Sequence, residues 1–496
     1  MARLDFASLD RAPLGWAPPT ASWRRISAVL IGLALASIRA QEPAPGGSAW
    51  SQQHWQRHGA ELLESEDPTG AWRAFRRALV LGADAVACEI GLGRAHLMLG
   101  RSSFALCYAE AALGNEPNNQ TGMALCIRSL IRARAFDEAV QRAQAFVGRC
   151  APGADLQAAR ASAMFRVQRI DEAADAYQIV VRLDPQHAEG HLRLGSGLLP
   201  PVEVQITPAL RAAVAAAAAD DSQRAIDSLQ SLLAAAPGNP VAHRLLGEQL
   251  FAQRAAASMA STDPVYRALS EALPVPDVRR LPVAQFVVGY DTLSPGRRRI
   301  VDRTAALFAS QLDKLVAVGG SHDLLRELER TTDAPSRRNL RGKRTFDGRV
   351  WDDVRGIGGV KAATGIEALD EAAAFGFDTL AHEVAHQVHF FAFSQLQRVR
   401  IRSLYQNALA EGRCLDYYAA TNEAEYFGQG VEAFVSLCKR PGGETTHGHT
   451  RFELWAIDRP LHDFIAGFVD CDPLRLPGTR ERVLAAAAAV ALRCGR

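Results

Sequence analysis

His382, Glu383 and His386 form the pattern His-Glu-x-x-His inside the stretch Thr379–His389. The stretch reads as helix, and residues four apart share a helical face, so both imidazoles can reach one zinc ion. Glu383, beside the first histidine, is placed to take the proton of a metal-bound water and hand it to a leaving group. The flanks are apolar: Phe375, Phe377, Leu380, Val384, Val388, Phe390, Phe391 and Phe393. Charged groups in such a setting need a reason, and a metal ion is one. His389, three residues further on, falls on a neighbouring face and reads as a packed or hydrogen-bonded histidine.

A third ligand must follow. The metzincin pattern places a histidine six residues after the second, which here is Ala392, so that class is excluded. The gluzincin pattern takes a glutamate from a second helix downstream. Within Thr421–Phe434, Glu423, Glu425 and Glu432 compete for that place. Glu425 stands 39 positions past His386, enough chain for a helix-loop-helix return, and shares an apolar-periodic run with Val431 and Phe434.

The run Asn422-Glu-Ala-Glu-Tyr-Phe427 resembles the glutamate-bearing helix of the anthrax lethal factor-like zinc peptidases, whose usual form is Asn-x-x-Glu-Phe/Tyr-Phe/Trp-Ala-Glu. The resemblance implies that Glu425 is the third Zn2+ ligand. It also implies an oxyanion-stabilising tyrosine seven residues earlier, and Tyr418 stands there. It extends over residues 342–465, with less specific likeness in Trp351–Gly359 and in His447-Gly-His449 with Arg451 and Glu453. The family has histidines near His447 and His449, which implies substrate binding or transition-state stabilisation; surface loop histidines are the alternative. Where the family carries a second glutamate four residues after the ligand, this chain has Gln429. A carboxylate there would accept a hydrogen bond from a ligand histidine and raise its basicity, whereas glutamine accepts without charge. Glu432, three residues on and on the same helical face, is the other residue able to supply one.

Those helices need a scaffold, and the front of the chain has a distinct one. Ala71, Ala105, Ala139 and Ala173 are spaced by 34, and four residues after each come Phe75, Ala109, Ala143 and Tyr177. Pro117 and Pro185 close two of the units, and Pro152 closes another one position late. Small residues let paired helices approach, and proline ends the second helix. The pattern resembles tetratricopeptide repeats over residues 50–255, with a further unit at Ala225, Leu229, Leu232 and Pro237 after an insertion holding Pro200 and Pro201. One unit cannot bury its own face, so neighbours must stack. Pro264–Pro282 reads as a boundary, Val283–Tyr290 as a strand, and Ser294–Val318 as a helix.

The chain has 496 residues and a net charge of +2, which gives no reason to invoke nucleic acid. It lacks Gly-x-x-x-x-Gly-Lys-Ser/Thr, and the glycines of Arg355–Gly359 read as a turn, so phosphate binding is unsupported. Ile26–Ile38 is a mostly apolar run of 13 behind Arg24 and Arg25, short for a span and suited to a secretory signal cleaved after Ala36 or Ala40. Eight cysteines are compatible with export, and none forms Cys-x-x-Cys. The first four fall in the repeats, where small buried residues are the other reading.

The expected fold is mainly α: a tetratricopeptide solenoid followed by a mostly helical, zincin-like α+β domain. The expected division is a signal or anchor at 1–40, a linker at 41–50, repeats at 51–260 and the zincin-like domain at 261–496. The expected function is zinc-dependent peptide-bond hydrolysis. His382, His386 and Glu425 would hold Zn2+, Glu383 would be the base and then the acid, and Tyr418 would steady the oxyanion. The repeats would recruit a protein partner or substrate. Export is expected, with membrane contact only if the N-terminal segment stays as an anchor. The alternative is an inactive peptidase-like scaffold, favoured by Gln429.

Overall fold

The computed structural model describes residues 50–65, 67–258, 263–370, 378–437 and 449–494. The expected signal segment and linker, Phe375, Phe377 and His447 lie outside the described residues. The described chain is mainly α-helical, with one small sheet.

Four helix pairs open the described part of the chain. They are α1 (Gln52–Glu64) with α2 (Pro68–Val80), α3 (Ala85–Met98) with α4 (Ser102–Asn115), α5 (Gln120–Arg132) with α6 (Phe136–Val147), and α7 (Ala154–Arg166) with α8 (Ile170–Leu183). The alanines spaced by 34 explain the packing. Ala71, Ala105, Ala139 and Ala173 have no measurable exposure, so one backbone lies directly against the next. The turns repeat as well. Gly100, Arg134 and Gln168, again 34 apart, take positive φ of 72°, 65° and 61° where the first helix of a pair hands over to the second.

The fifth unit breaks the pattern. Its first helix, α9 (Ala188–Arg193), runs into a wide turn at Leu194–Leu198, where Gly197 has φ 91°. Extended chain follows, then α10 (Pro208–Ala218), α11 (Ser222–Ala235) and α12 (Pro240–Ser258), the last packed back on α9. This break is where the second half docks. The Gly197 carbonyl accepts a hydrogen bond from Val350 N–H at 2.7 Å, and a Cβ on Gly197 would lie 2.7 Å from the Val350 carbonyl oxygen. Arg330 donates to the Val202 carbonyl at 2.8 Å, and Arg244 donates to the Glu327 carbonyl.

In the second half, α13 (Asp263–Ala272) packs on the C-terminal α21 (Thr479–Cys494). Val283–Tyr290 is less of a strand than its sequence suggests. Val283–Phe286 makes one helical turn and only Val287–Val288 pairs, as β1. Ser294–Val318 is two helices, α14 (Pro295–Leu307) and α15 (Ala309–Ala317), bent at Phe308. With β2 (Ser321–Leu325), β3 (Gly356–Ile357) and β4 (Lys361–Gly365), β1 forms a sheet of order β1-β2-β4-β3. The first three in that order are parallel, and β3 runs antiparallel along one edge.

The His-Glu-x-x-His helix, α16 (Thr379–Gln387), lies on this sheet and against α18 (Glu423–Val435). Between them run α17 (Gln395–Glu411) and a loop; α19 (Arg451–Ile457) and α20 (Arg459–Phe468) complete the layer. Leu380, Val384, Val388, Phe393, Phe427, Val431 and Phe434 share one core. Phe390 and Phe391 are instead 46% and 39% exposed, because the wide turn Val388–Ala392 swings them off the buried face. Among the described residues Cys88, Cys107, Cys126, Cys150, Cys414 and Cys471 are free thiols, and Cys88 and Cys126 are buried. No helix among the described residues is long and apolar enough to cross a membrane.

Candidate metal centre

Asp378 caps α16, accepting the Ala381 N–H at 2.9 Å. At the other end Gln387 ties the helix to the sheet. Its amide donates to the Ser321 carbonyl at 3.0 Å, and its oxygen lies 2.9 Å from Nδ1 of the buried His322. The remaining nitrogen of His322 meets Thr364 Oγ1 at 2.9 Å. Gln387 thus receives the Nδ1 proton, and the Thr364 hydroxyl donates to Nε2. His322 is held neutral, its pKa lowered to about 4 by burial.

Asn422 caps α18 and accepts the N–H groups of Ala424 and Glu425, both at 2.9 Å. Glu425 therefore sits in the first turn, where the helix dipole favours a carboxylate. Tyr426, next to it, donates to Asp458 at 2.6 Å and fixes the helix from behind.

His382, His386 and Glu425 converge, and their ligand atoms lie within 4.8 Å of one another, all three residues buried. His382 Nε2 is 3.0 Å from His386 Nε2 and 3.2 Å from Glu425 Oε2, and His386 Nε2 is 3.5 Å from that same oxygen. The three glutamates separate by place. Glu423 pairs with Arg402 at 2.9 Å, Glu425 faces both histidines, and Glu432 lies behind them. Glu432, fully buried, brings Oε2 to 3.5 Å from His382 Nδ1. The carboxylate that Gln429 lacks thus comes from one helical turn further on, and it favours the tautomer that turns the Nε2 lone pair to the centre.

The charge balance fits a cation. Burial alone would keep His382 neutral, but the Glu425 and Glu432 carboxylates outweigh it and hold its pKa well above the ordinary range. Burial likewise opposes charge on Glu425, yet the two histidines hold its carboxyl far below the usual range. Without a metal these acceptors can face one another only by sharing a proton; a divalent ion would take the place of that proton. Two imidazoles and one carboxylate leaving a further position open is a donor set suited to zinc.

Sequence reasoning missed two glycines at the centre. A Cβ on Gly428 would lie 2.9 Å from His382 Cε1 and 3.0 Å from His386 Cε1. A Cβ on Gly356, in the edge strand, would lie 2.5 Å from Glu383 Oε1. The signal was available for Gly428 and Gly430, since glycine inside a helix costs about 1 kcal/mol against alanine and asks for a reason.

Glu383 and Tyr418 open on the same cavity of about 470 Å³. Burial raises the Glu383 pKa, with His386 and His382 pulling it back. Burial, and then the Glu425 carboxylate, hold the Tyr418 hydroxyl well above its ordinary range, so it stays a hydrogen-bond donor. Asp416 shapes the turn that presents Tyr418, accepting the N–H groups of Tyr418 and Ala419 at 2.8 Å each. His449 stands behind that turn. It is buried, with Nε2 3.4 Å from Asp416 Oδ2, and is not among the residues lining the cavity. His389 is buried against Phe390 at 4.8 Å between ring centres, apart from the three converging ligand atoms.

The cavity has a lining that sequence reasoning did not foresee: Phe165, Arg166, Arg193, Ser196 and Leu198 of the repeats line it together with Glu383.

No known protein family and no curated protein matches this chain. Among the solved structures similar to part of this chain are two tetratricopeptide-type ones. One is TTC0263, a thermophilic TPR protein in Thermus thermophilus, at 16% identity, covering 40% of this chain and 100% of that one, with a TM-score of 0.29. The other is MamA from Desulfovibrio magneticus RS-1, at 16% identity, covering 37% and 93%, with a TM-score of 0.25. The repeats are tetratricopeptide-like by their own paired helices and 34-residue period.

Proposed function

We propose that the chain is a zinc-dependent peptidase whose repeats hold a protein substrate or partner. The observation that carries this reading is the convergence of His382, His386 and Glu425 within 4.8 Å, with Glu383 and Tyr418 beside them on one cavity. Zinc, when bound, would polarise a carbonyl and acidify a water. Glu383 takes a proton from the attacking water and returns it to the departing amine. Its raised pKa suits both steps, since a base works best when poised near the working pH. Tyr418 donates a hydrogen bond to the oxygen on which negative charge grows. Glu432 holds the His382 ring in orientation. The apolar core under α16 keeps these groups in fixed rotamers.

The test is full-length protein, zinc content measured by mass spectrometry, offered a fluorescence-quenched peptide library. About one zinc per chain and measurable cleavage are expected. Glu383→Gln should keep the zinc and lose turnover by a factor on the order of 10² to 10⁴. Cleavage that survives Glu383→Gln undiminished would overturn the assignment. We also propose export, from the segment Arg24–Ala40; N-terminal sequencing of secreted material should start near Ser37 or Gln41, and an intact Met1 on protein kept inside the cell would refute it.

A further inference from the structure

Asp347 and Arg349 line the cavity together with His382, Glu383 and Tyr418. Both stand on a small hairpin of the second half, closed by the bridge between Arg344 and Val350. Thr345 N–H donates to the Arg349 carbonyl at 2.7 Å, and Arg349 N–H donates to Thr345 Oγ1 at 3.0 Å. The repeats seat this hairpin. Gly348 turns at φ 85°, and a Cβ there would lie 2.4 Å from Ile170 Cγ1, so its backbone rests on the start of α8. The Gly197 carbonyl accepts the Val350 N–H at 2.7 Å, and a Cβ on Gly197 would lie 3.2 Å from Arg349 Cβ. Gln168 donates to the Phe346 carbonyl at 3.4 Å. The backbone of Arg349 is thus placed by the fourth and fifth units of the repeats.

Its side chain is placed by Asp347. Arg349 Nε donates to Asp347 Oδ2 at 2.8 Å, and the Thr345 hydroxyl donates to the other oxygen of the same carboxylate. A guanidinium carries five N–H donors in one plane, and this bond uses the one on Nε. Arginine also keeps its proton throughout the working range, so it acts as a fixed charge and not as an acid or base. Arg349 is half-buried, where a charge is screened less than on the open surface. That charge reaches both groups assigned to the reaction. Burial raises the Glu383 carboxyl and the Tyr418 hydroxyl, and the Arg349 cation is among the charges that pull each back down. A cation felt by the proton carrier and by the oxyanion donor is also felt by the bond held between them.

We propose that Arg349 is a further catalytic residue of the cavity: with Tyr418, it donates to the carbonyl oxygen of the scissile bond as negative charge grows there. The repeats, by seating its hairpin, then help to build the centre as well as to recruit what it cleaves. This rests on the peptidase reading, and one arm of the test does without cleavage.

Full-length wild type, Arg349→Gln and Arg349→Lys would be loaded with zinc and the metal counted by mass spectrometry. On a quenched peptide that wild type cleaves, Arg349→Gln should keep its zinc and lose kcat by roughly 10²- to 10³-fold, the effect of removing one oxyanion donor. kcat and kcat/KM should fall together, because the contact is made only as the charge develops. Arg349→Lys keeps the charge without the planar fork and should fall between the two; it carries the comparison by itself if the glutamine variant loses zinc. An unchanged kcat, or a rise in KM alone, overturns the assignment and leaves the peptidase reading standing. If nothing is cleaved, the peptidase reading fails by itself, and Arg349 is judged by binding. The probes are a pooled library of phosphinic peptides, each with a tetrahedral anion in place of one peptide carbonyl, and the matched amide library. Zinc-loaded wild type should hold the phosphinates about 100-fold or more tighter than the amides, as expected of transition-state mimics. Arg349→Gln should lose roughly 10- to 100-fold of that advantage, the scale of a hydrogen bond to a charged group. Equal affinity of wild type for the two libraries, or an advantage kept whole in Arg349→Gln, overturns the assignment.

Discussion

In the repeats, residues without measurable exposure include Ala71, Ala105, Ala139 and Ala173. Around α16 the buried residues include His382, Glu383, His386, Glu425 and Glu432. Both interiors are helix against helix, yet one closes on methyl groups and the other on ionisable groups. The alanines need only a neighbour of the right shape. The ionisable groups must be paired or desolvated at a cost, so the helices that carry them are arranged around a charge problem. One region is therefore specified by size and the other by chemistry, and substitutions should act on them in opposite ways.

Gly428→Ala gives the largest contrast. On an ordinary helix the change stabilises by up to about 1 kcal/mol. Here the new Cβ meets both ligand rings at about 3 Å, and they must move apart. The expected outcome is retained helicity with zinc affinity lowered by a factor on the order of 10² or more, since ligand geometry tolerates only small displacements. A chelator competition titration beside circular dichroism checks it; unchanged affinity would place the rings elsewhere.

Acid should act next, through His322. Its pKa is lowered from 6.5 to about 4 in the fold, so the unfolded chain binds the proton more readily. The stability that comes from keeping it neutral is present in full above about pH 6.5 and is lost as the pH falls towards 4. Between pH 7.5 and 5 this amounts to roughly 2 kcal/mol. Urea unfolding of chelator-treated protein should show at least that loss, since burial lowers His191 and His389 to about 4 as well, and His322→Gln should remove only the share of about 2 kcal/mol that His322 carries. A variant with the wild-type pH slope would remove His322 as the source.

The repeats answer to volume. Ala139→Leu should cost about 1 to 3 kcal/mol by overpacking, with a lower melting temperature and unchanged zinc content per folded chain. Zinc loss in step with that change would mean that the two interiors are not separable.

The period of 34 and the His-Glu-x-x-His helix were legible because each is local or strictly repeated. Glu425 stood out from Glu423 and Glu432 through its apolar-periodic run and the resemblance, and it does face both histidines. The wall of the cavity was not, since Arg166 and Glu383 meet only through the broken fifth unit, and a break has no period to read. Gly356 and Gly428 were passed over because what they permit, a side chain from another element at under 3 Å, appears only in three dimensions. Val283–Tyr290 misled because only Val287 and Val288 follow the β-branched signal into the sheet, while Val283–Phe286, with one β-branched residue in four, makes a helical turn. Phe390 and Phe391 misled because a wide turn shifts the helical phase by one residue.

The finest contrast is between Gln429 and Glu432, neighbours on one face of α18. The resemblance draws attention to position 429, where a family carboxylate is missing. The carboxylate beside the ring is that of Glu432, 3.5 Å from His382 Nδ1. If the histidine draws its basicity from there, Glu432→Gln should weaken zinc binding by roughly 10- to 100-fold. Gln429→Glu should then give no gain, because a second carboxylate beside a buried first one drives one of the pair towards protonation. A chelator competition titration on the three proteins orders them: wild type highest, Gln429→Glu equal or lower, Glu432→Gln lowest. The reverse order would return the role to position 429. Equal affinities would mean that His382 is oriented by the packing of α16 on the sheet alone.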